Sequence, residues 1–297
     1  MQMFRAVTGR GSLLLIIALC LGVSYGSLAA ERKPKGPPRL SAAEIVKKHV
    51  SARGGLKAWR AVQTLSMSGK MDAGTGDSIA RSLRVSRGPG ASTHKTRREI
   101  AAAGQKGEAD KQVQLPFKLA RQRPDKSRLE IEFAGKTAVQ VYDGANGWKL
   151  RPFLNRNDVE AFTPQETKAA AENAELEDPL IDAKGKGTKV EVEGVEKVDG
   201  RDAYKLKLTT KAGAVQRVFI DAKTFLDVKV EGVPRRMDGK MRKVWVYQRD
   251  FRSVGGVKIP FLVETVVDGF PQAHKIVLDR VAVNPKLDAA TFAKPKA

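Results

Sequence analysis

The sequence has very little cysteine and histidine. Cys20 is the single cysteine among 297 residues, and the three histidines, His49, His94 and His274, lie far apart. An intrachain disulfide framework, a cysteine-based zinc site and a CxxC redox motif are therefore excluded. We expect no histidine-rich metal site.

Catalytic signatures are also missing. The sequence contains no GxGxxG, GxxxxGK[ST], HExxH or GxSxG motif. Glu130 and Glu132 are an acidic pair of the kind that hydrolases use, but alternating charges along a strand are typical of its solvent-facing side. We predict that the protein is not an enzyme and needs no cofactor.

The sequence has few acidic residues relative to basic ones, and few aromatic residues. Lys and Arg number 54 against 33 Asp and Glu, so the formal net charge is +21. This charge indicates anionic partners, among them phospholipid headgroups, lipopolysaccharide, nucleic acid and acidic proteins. Aromatic residues make up only 6% of the chain, which disfavours stacking platforms for bases. We predict an anionic membrane surface as a partner and no specific nucleic acid.

Residues 1–30 have the three parts of a secretory signal peptide. Basic residues come first, residues 13–21 form a short apolar core, and residues 27–30 include the small side chains that a signal peptidase needs. We expect cleavage of this segment and export to the periplasm. Retention as an anchor and lipidation of Cys20 are the alternatives, and the large Leu19 before the cysteine disfavours lipidation.

Two capping boxes predict helices in the exported chain. Residues 31–40 are rich in proline and basic residues and are typical of a flexible leader. Ser41 and Glu44 then begin a helix that Gly54-Gly55 ends, and a short helix with Trp59 covers residues 56–61. His49 lies on the apolar stripe of the first helix, where a packed structural histidine is expected.

The second capping box, Thr163 with Glu166, begins an acidic helix within residues 164–177. Residues 158–182 hold eight acidic residues and one basic residue, Lys168. Two interpretations are open: a solvated helix beside basic neighbours, or a mobile lid held by weak electrostatic contacts.

Period-two alternation predicts strands over most of the remaining chain. Asp-Gly and Gly-Gly pairs between them are typical of short hairpin turns, so most neighbouring strands should be antiparallel. We predict about eleven strands, with two or three helices, in an α+β, mainly β fold with one strongly curved antiparallel sheet. The predicted strands cover residues 64–71, 113–123, 128–133, 139–141, 148–150, 188–198, 201–211, 214–221, 225–233, 241–252, 257–268 and 273–283, with weaker ones near 78–87 and 93–101.

Residues 115–153 resemble the core of the LolA/LolB family, the periplasmic carriers of outer-membrane lipoproteins. The resemblance is carried by Arg123-Pro124, the Asp143-Gly144 turn, Trp148 and Pro152-Phe153, in that order and spacing. Weaker likeness to longer outer membrane lipoprotein-sorting homologues extends over residues 41–293. It implies a single lipid-binding domain there, built as an unclosed β-barrel that helices cover.

The family cavity holds acyl chains, so the resemblance implies a carrier that moves lipoproteins or other lipids towards the outer membrane. We expect an inner-membrane donor transporter, an outer-membrane acceptor and a monomeric protein. A periplasmic lipid-responsive sensor or adaptor that binds a membrane regulatory protein is the alternative function. The basic cluster of residues 235–243, which the short family members lack, leaves the identity of the cargo open.

Nine apolar residues are predicted to share one broad face of the sheet and to contact the bound acyl chains. They are Phe117, Leu119, Leu129, Ile131, Phe133, Val139, Val141, Trp148 and Leu150. Tyr204, Leu206, Leu208, Ile259, Phe261 and Val263 would extend this face. A filled core is the alternative interpretation of the same residues.

Arg123 is the predicted polar residue of this lipid-binding site. It has the same strand parity as Phe117 and Leu119, so it should point inward near the end of its strand. In the family the arginine of the Arg-Pro pair lies at the cavity entrance and takes part in opening and closing. An exposed arginine at a strand end is the alternative.

Overall fold

The computed structural model describes residues 36–75, 112–152, 156–270 and 272–296. Cys20, the predicted signal peptide and the two weaker predicted strands lie outside the described residues. None of the helices described is long and apolar enough to cross a membrane. The boundaries of the signal peptide, leader and lipid-binding domain stay predictions.

Both predicted capping boxes are present and begin helices. Helix α1 spans Ala42–Ala52, and α3 spans Pro164–Asn173 with Pro164 in its first turn. In each helix the N-cap hydroxyl accepts from the backbone N–H of the glutamate three residues later, whose carboxylate accepts from the N-cap N–H. The short helix α2 covers Leu56–Ala61, and a 3₁₀ turn, Ala289–Phe292, lies near the C-terminus.

The remaining elements are strands in one antiparallel sheet. Thirteen strands form this sheet, and every pairing between neighbours is antiparallel. The strands are β1 Thr64–Thr75, β2 Gln112–Gln122, β3 Lys126–Phe133, β4 Lys136–Tyr142, β5 Gly147–Arg151, β6 Arg156–Ala161, β7 Lys189–Val198, β8 Arg201–Thr209, β9 Val215–Asp221, β10 Asp227–Met237, β11 Lys240–Val254, β12 Val257–Val267 and β13 His274–Val283.

The sheet consists of two runs of neighbouring strands joined at β1 and β13. Its order is β6-β5-β4-β3-β2-β1-β13-β12-β11-β10-β9-β8-β7, so β6 and β7 are the two edges and the sheet is not closed. Between these edge strands the chain passes through α3 and residues 174–188. The predicted mainly β, antiparallel architecture is confirmed, and the described residues contain thirteen strands where about eleven were predicted.

Strand β6 is the described strand that the alternation did not predict. Its sequence, RNDVEA, contains asparagine and aspartate, which are depleted in strands. It pairs only with β5, at the edge of the sheet, where solvent accepts polar side chains on both faces.

Two Gly-Gly pairs of the sequence, Gly54-Gly55 and Gly255-Gly256, lie against each other. A Cβ atom on Gly54 would approach the carbonyl oxygen of Gly256 to 2.3 Å, and Gly54 has a φ of +108°. Only glycine fits both the backbone angle and the close approach. The turn after α1 is thereby fixed against the turn between β11 and β12.

Apolar side chains pack on both faces of the sheet. On the inner face Trp59 of α2 packs with Leu65 and Ile259, and Ile45 of α1 packs with Leu180 and Leu206. On the outer face one cluster joins β8 to β10, and another joins β4 to the C-terminal 3₁₀ turn. The helices therefore cover part of the inner face, and the part left between α2 and α3 is the candidate site.

Candidate functional site

The inner face of the sheet lines a cavity of about 690 Å³. Its walls come from β1 to β5 and β11 to β13, and helix α3 covers one side. This volume lies in the range of about 300–1,000 Å³ that is typical of small-molecule sites. Residues 176–178, which follow α3, line the cavity together with Arg53 and Trp59 of the N-terminal helices.

Apolar side chains from five strands form the floor of the cavity. Leu119 and Leu129 are direct cross-strand partners on β2 and β3, and Val263 and Ile276 are partners on β12 and β13. Direct cross-strand partners share a face of the sheet, which makes the apolar floor continuous across neighbouring strands. The other large apolar residues of the floor are Leu65, Met67, Met71, Phe117, Ile259 and Leu278.

Helix α3 covers the cavity with small side chains. Ala169, Ala170 and Asn173 face the cavity, and no residue of the helix is buried. An ion pair joins Glu166 of this helix to Lys149 on β5, with Nζ–O distances of 2.6 and 2.7 Å. This hydrogen bond lowers the pKa of Glu166 and keeps it ionised. The acidic helix therefore lies over a cavity and is joined to the sheet by this ion pair.

The chain enters α3 through a tight contact between Phe162 and Gly147. Phe162 lines the cavity, and its ring packs where a Cβ atom on Gly147 would come within 1.9 Å of it. The Phe162 N–H also donates to the Gly147 carbonyl at 2.8 Å. Gly147, the first residue of β5, is thus needed to make room for the aromatic ring that precedes the helix.

The cavity has a cationic end beside its apolar floor. Arg121, Lys149 and Arg151 line it, together with Ser127 and Gln140. Lys149 pairs with Glu166, and Arg151 pairs with Glu160 at 2.7 Å. Among the described residues, Arg121 donates to the backbone carbonyl of Glu175 alone, at 2.9 Å, and desolvation lowers its pKa.

The structure brings together some of the predicted lipid-binding residues. Phe117, Leu119 and Leu129 line the cavity. Ile131 packs against the same apolar cluster without lining the cavity, and Phe133 lies half-buried at the end of β3. Of the residues predicted to extend the face, Ile259 and Val263 line the cavity, whereas Tyr204, Leu206 and Leu208 fill a core with Ile45.

The predicted single face needs correction at four residues. Val139, Val141, Trp148 and Leu150 lie on the opposite face of the sheet, where they pack with Phe292. The reason is the register: Leu129 pairs with Gln140 and Gln140 pairs with Lys149, so these residues occupy the cavity face of β3, β4 and β5. The side chains one residue away in β4 and β5 therefore point outward.

Arg123 lies at the edge of the cavity and not among its lining residues. It follows the last residue of β2, and its guanidinium donates to the carbonyls of Val62 and Trp59 at the end of α2, at 2.7 and 3.3 Å. It also pairs with Glu177 at 2.7 Å. Arg123 therefore links the end of α2 to the segment after α3, and Glu177 itself lines the cavity.

A buried cluster of charged groups lies next to the cavity. His49 contacts Asp178 at 3.2 Å and the Phe225 carbonyl at 2.9 Å, as expected for a packed structural histidine. Ligand atoms of His49, Asp178 and Asp227 come within 4.8 Å of one another, a spacing that suits a metal ion. However, the Arg53 guanidinium pairs with both carboxylates, so a protein cation already fills that position.

Similarity to known proteins is found in the fold and not in the sequence. The sequence matches no protein-family model, and no curated protein matches it. The fold matches a LolA superfamily protein from Nitrosomonas europaea at 12% identity, with a TM-score of 0.49 over 86% of this chain and 99% of that chain. It matches a DUF1329 family protein from Desulfovibrio piger at 13% identity, with a TM-score of 0.50 over 87% of this chain and 98% of that chain.

A putative outer membrane lipoprotein-sorting protein domain from Vibrio parahaemolyticus matches at 10% identity, with a TM-score of 0.48 over 85% of this chain and 96% of that chain. Structural matches to LolA superfamily and lipoprotein-sorting domains extend over most of the chain, at low sequence identity. At these identities the likeness concerns the fold alone.

Proposed function

We propose that this protein is a periplasmic carrier that holds the acyl chains of a lipoprotein or another lipid in the cavity beneath α3. The observation that carries the proposal is the cavity of about 690 Å³ with a continuous apolar floor. Burial stabilises an acyl chain by about 0.8 kcal/mol for each methylene removed from water. Binding and release then need no chemical step, in line with the predicted absence of enzyme activity and cofactors.

Helix α3 is the element that would move to admit a lipid. A helix with no buried residue contributes little apolar burial, so its displacement costs little free energy. The Lys149–Glu166 ion pair and the Arg123–Glu177 ion pair hold the two ends of this segment to the body of the protein. On this proposal α3 is a lid, and Arg123 takes part in closing it.

A basic hairpin, defined here as residues 232–243 of β10 and β11, supports a contact with an anionic membrane surface. It has five basic residues and one acidic residue, Asp238. Arg235 lies directly opposite Arg242 on the neighbouring strand, and like charges in this arrangement lower the stability of the hairpin. Val233 and Met241 on the same hairpin are 84% and 64% exposed. Basic and apolar side chains together suit adsorption to anionic lipid.

The transfer reaction that follows from this proposal runs between two membranes. An exported monomer would receive its lipid from an inner-membrane donor transporter, carry it through the periplasm and deliver it to an outer-membrane acceptor. The basic hairpin would hold the carrier at the anionic surface during loading or release.

The proposal is tested by native mass spectrometry, with organic extraction, of the protein purified without detergent from its own periplasm. We expect phospholipid or acylated peptide at about one per chain. Ala170→Phe should fill the cavity from the exposed helix and abolish the bound lipid, whereas Gln165→Phe, on the solvent side of the same helix, should not.

Lipid-free protein that also ignores an added fluorescent fatty acid would overturn the proposal. Lipid-loaded protein that captures a membrane regulatory protein, without passing lipid to acceptor membranes, would establish the sensor function in place of the carrier.

A further inference from the structure

Arg121 is a half-buried cation that lines the cavity and has no carboxylate partner among the described residues. The other cations that line the cavity are paired: Arg53 with Asp178 and Asp227, Lys149 with Glu166, and Arg151 with Glu160. Within the part of the chain that the structure describes, Arg121 donates to the Glu175 carbonyl, and its buried Nε–H has no acceptor there. A partly desolvated guanidinium without a counter-charge costs stability, so a bound anion would stabilise it.

The position of Arg121 joins this cation to the apolar floor. It lies two residues after Leu119 on the same face of β2, and its direct cross-strand partner on β3 is Ser127, two residues before Leu129. Ser127 lines the cavity, and its hydroxyl makes no hydrogen bond with the part of the chain that the structure describes. A guanidinium and a hydroxyl therefore stand side by side where the apolar floor ends.

We propose that Arg121 and Ser127 bind the oxyanion of an acidic amphiphile, a carboxylate or a phosphate, whose acyl chain lies on the Leu119–Leu129 floor. This inference rests on the proposed function and adds the chemical class of the ligand. A guanidinium donates two parallel hydrogen bonds to such an oxyanion, and a charge-assisted pair is strongest where water is excluded. Bound anion would also supply the counter-charge that Arg121 lacks.

The test compares an acidic and a neutral ligand that share one chain. Binding of oleate and of oleyl alcohol is measured by displacement of a fluorescent fatty acid from the full chain. Arg121→Met should weaken oleate binding about tenfold to a hundredfold, the loss expected for one charge-assisted contact, and leave oleyl alcohol binding within about twofold. Arg121→Lys should restore part of the oleate affinity because it keeps the charge.

Lys118→Met is the matched control, since it removes one positive charge from the exposed face of the same strand. It should leave the affinities for both ligands unchanged. The melting temperature supplies an independent readout: Arg121→Met should be as stable as the wild-type protein or more stable, because it removes a half-buried guanidinium that has no carboxylate partner among the described residues. A purely structural role predicts a lower melting temperature with equal loss of both ligands, and that result would overturn the inference.

Further probes identify the source of the oxyanion. If Arg121→Met weakens the binding of lysophosphatidate more than that of oleate, the site is assigned to a phosphate headgroup. If it weakens the binding of oleate more, the site is assigned to a carboxylate. Inorganic phosphate should not displace oleate, and displacement would overturn the acyl-linked assignment. Wild-type protein that binds neither oleate nor oleyl alcohol would defeat the proposed function itself, whereas equal binding of both before and after Arg121→Met would defeat only this inference.

Discussion

The ammonium group of Lys149 lies 2.6 and 2.7 Å from the two carboxylate oxygens of Glu166, and this contact joins β5 to the helix that covers the cavity. Lys149 is nearly buried, whereas Glu166 is partly exposed. The same glutamate completes the capping box of α3. One side chain therefore both starts the helix and fastens it to the sheet.

Replacing Lys149 with methionine should loosen α3 without unfolding it. The capping box stays intact, and the apolar stem of methionine fills the space of the lysine stem. We expect dissociation of a bound fluorescent fatty acid to accelerate about threefold to tenfold, since one partly exposed ion pair is lost. Stopped-flow fluorescence measures this rate.

Lys168→Met is the control for the lid, because Lys168 lies on the same helix but points to solvent. It should leave the dissociation rate unchanged. Equal rates in wild type and Lys149→Met would contradict the assignment of α3 as a charge-held lid.

Arg123 should contribute to both stability and closure. Arg123→Gln removes the ion pair to Glu177 and hydrogen bonds to the end of α2. We expect the free energy of unfolding to fall by about 1–3 kcal/mol, as for a partly buried, hydrogen-bonded charge. Urea denaturation measures the loss, and hydrogen exchange of residues 174–178 should quicken if Arg123 fastens this segment.

Arg128→Gln is the control variant. Like Arg123, Arg128 forms an ion pair with a glutamate, here Glu130, but it lies on the outer face of the sheet. It should not change exchange in residues 174–178. Faster exchange in both variants would mean that global destabilisation, and not the Arg123 contact, opens the segment.

Local sequence patterns predicted where the helices and strands lie better than they predicted which face of the sheet each side chain occupies. The capping boxes of α1 and α3 depend on neighbouring residues only, and both helices begin where these residues require. The face of β4 depends on its register with β3. Ala134 and Gly135, with φ of 49° and 72°, form a two-residue turn, so Leu129 must lie opposite Gln140.

The sequence of this turn contained the information needed to predict the face of β4. A two-residue Ala-Gly connection between Phe133 and Lys136 sets the register, and counting outward from it places Val139 and Val141 on the face away from Leu129. The strand parity that Arg123 shares with Phe117 and Leu119 applies equally to Arg121, which does lie on the inner face. Its lack of a counter-charge could not be predicted, because that depends on which carboxylates distant segments bring to the cavity.

The buried charge cluster should make stability depend on pH. Burial by itself lowers the pKa of His49, but the hydrogen bond and charge of Asp178, together with Asp227, outweigh burial and raise the pKa above 6.5, although Arg53 opposes them. A raised folded-state pKa gives stabilisation that is complete below pH 6.5 and is lost as the pH rises through the raised value. We expect the free energy of unfolding to fall with rising pH in that window.

His49→Gln should remove this pH dependence while it retains a hydrogen-bond donor for the cluster. Urea denaturation across the window from pH 6 to pH 9, compared with the same series for His274→Gln, separates the buried histidine from one that is partly exposed. A slope that persists in His49→Gln, or disappears in His274→Gln, would contradict the assignment.

Binding to anionic membranes should depend on the apolar side chains of the basic hairpin as well as on its charges. Met241 is 64% exposed and lies directly across from Arg236, so Met241→Glu places a carboxylate where the hairpin would meet acidic headgroups. Each basic residue near such a surface contributes about 1 kcal/mol, and we expect the variant to lose about tenfold in affinity for phosphatidylglycerol vesicles, measured by cosedimentation. Val215→Glu makes the same charge change at a 51% exposed site on β9 and should lose much less. Equal losses in the two variants would show that net charge alone drives adsorption, because a specific hairpin contact must depend on where the new carboxylate is placed.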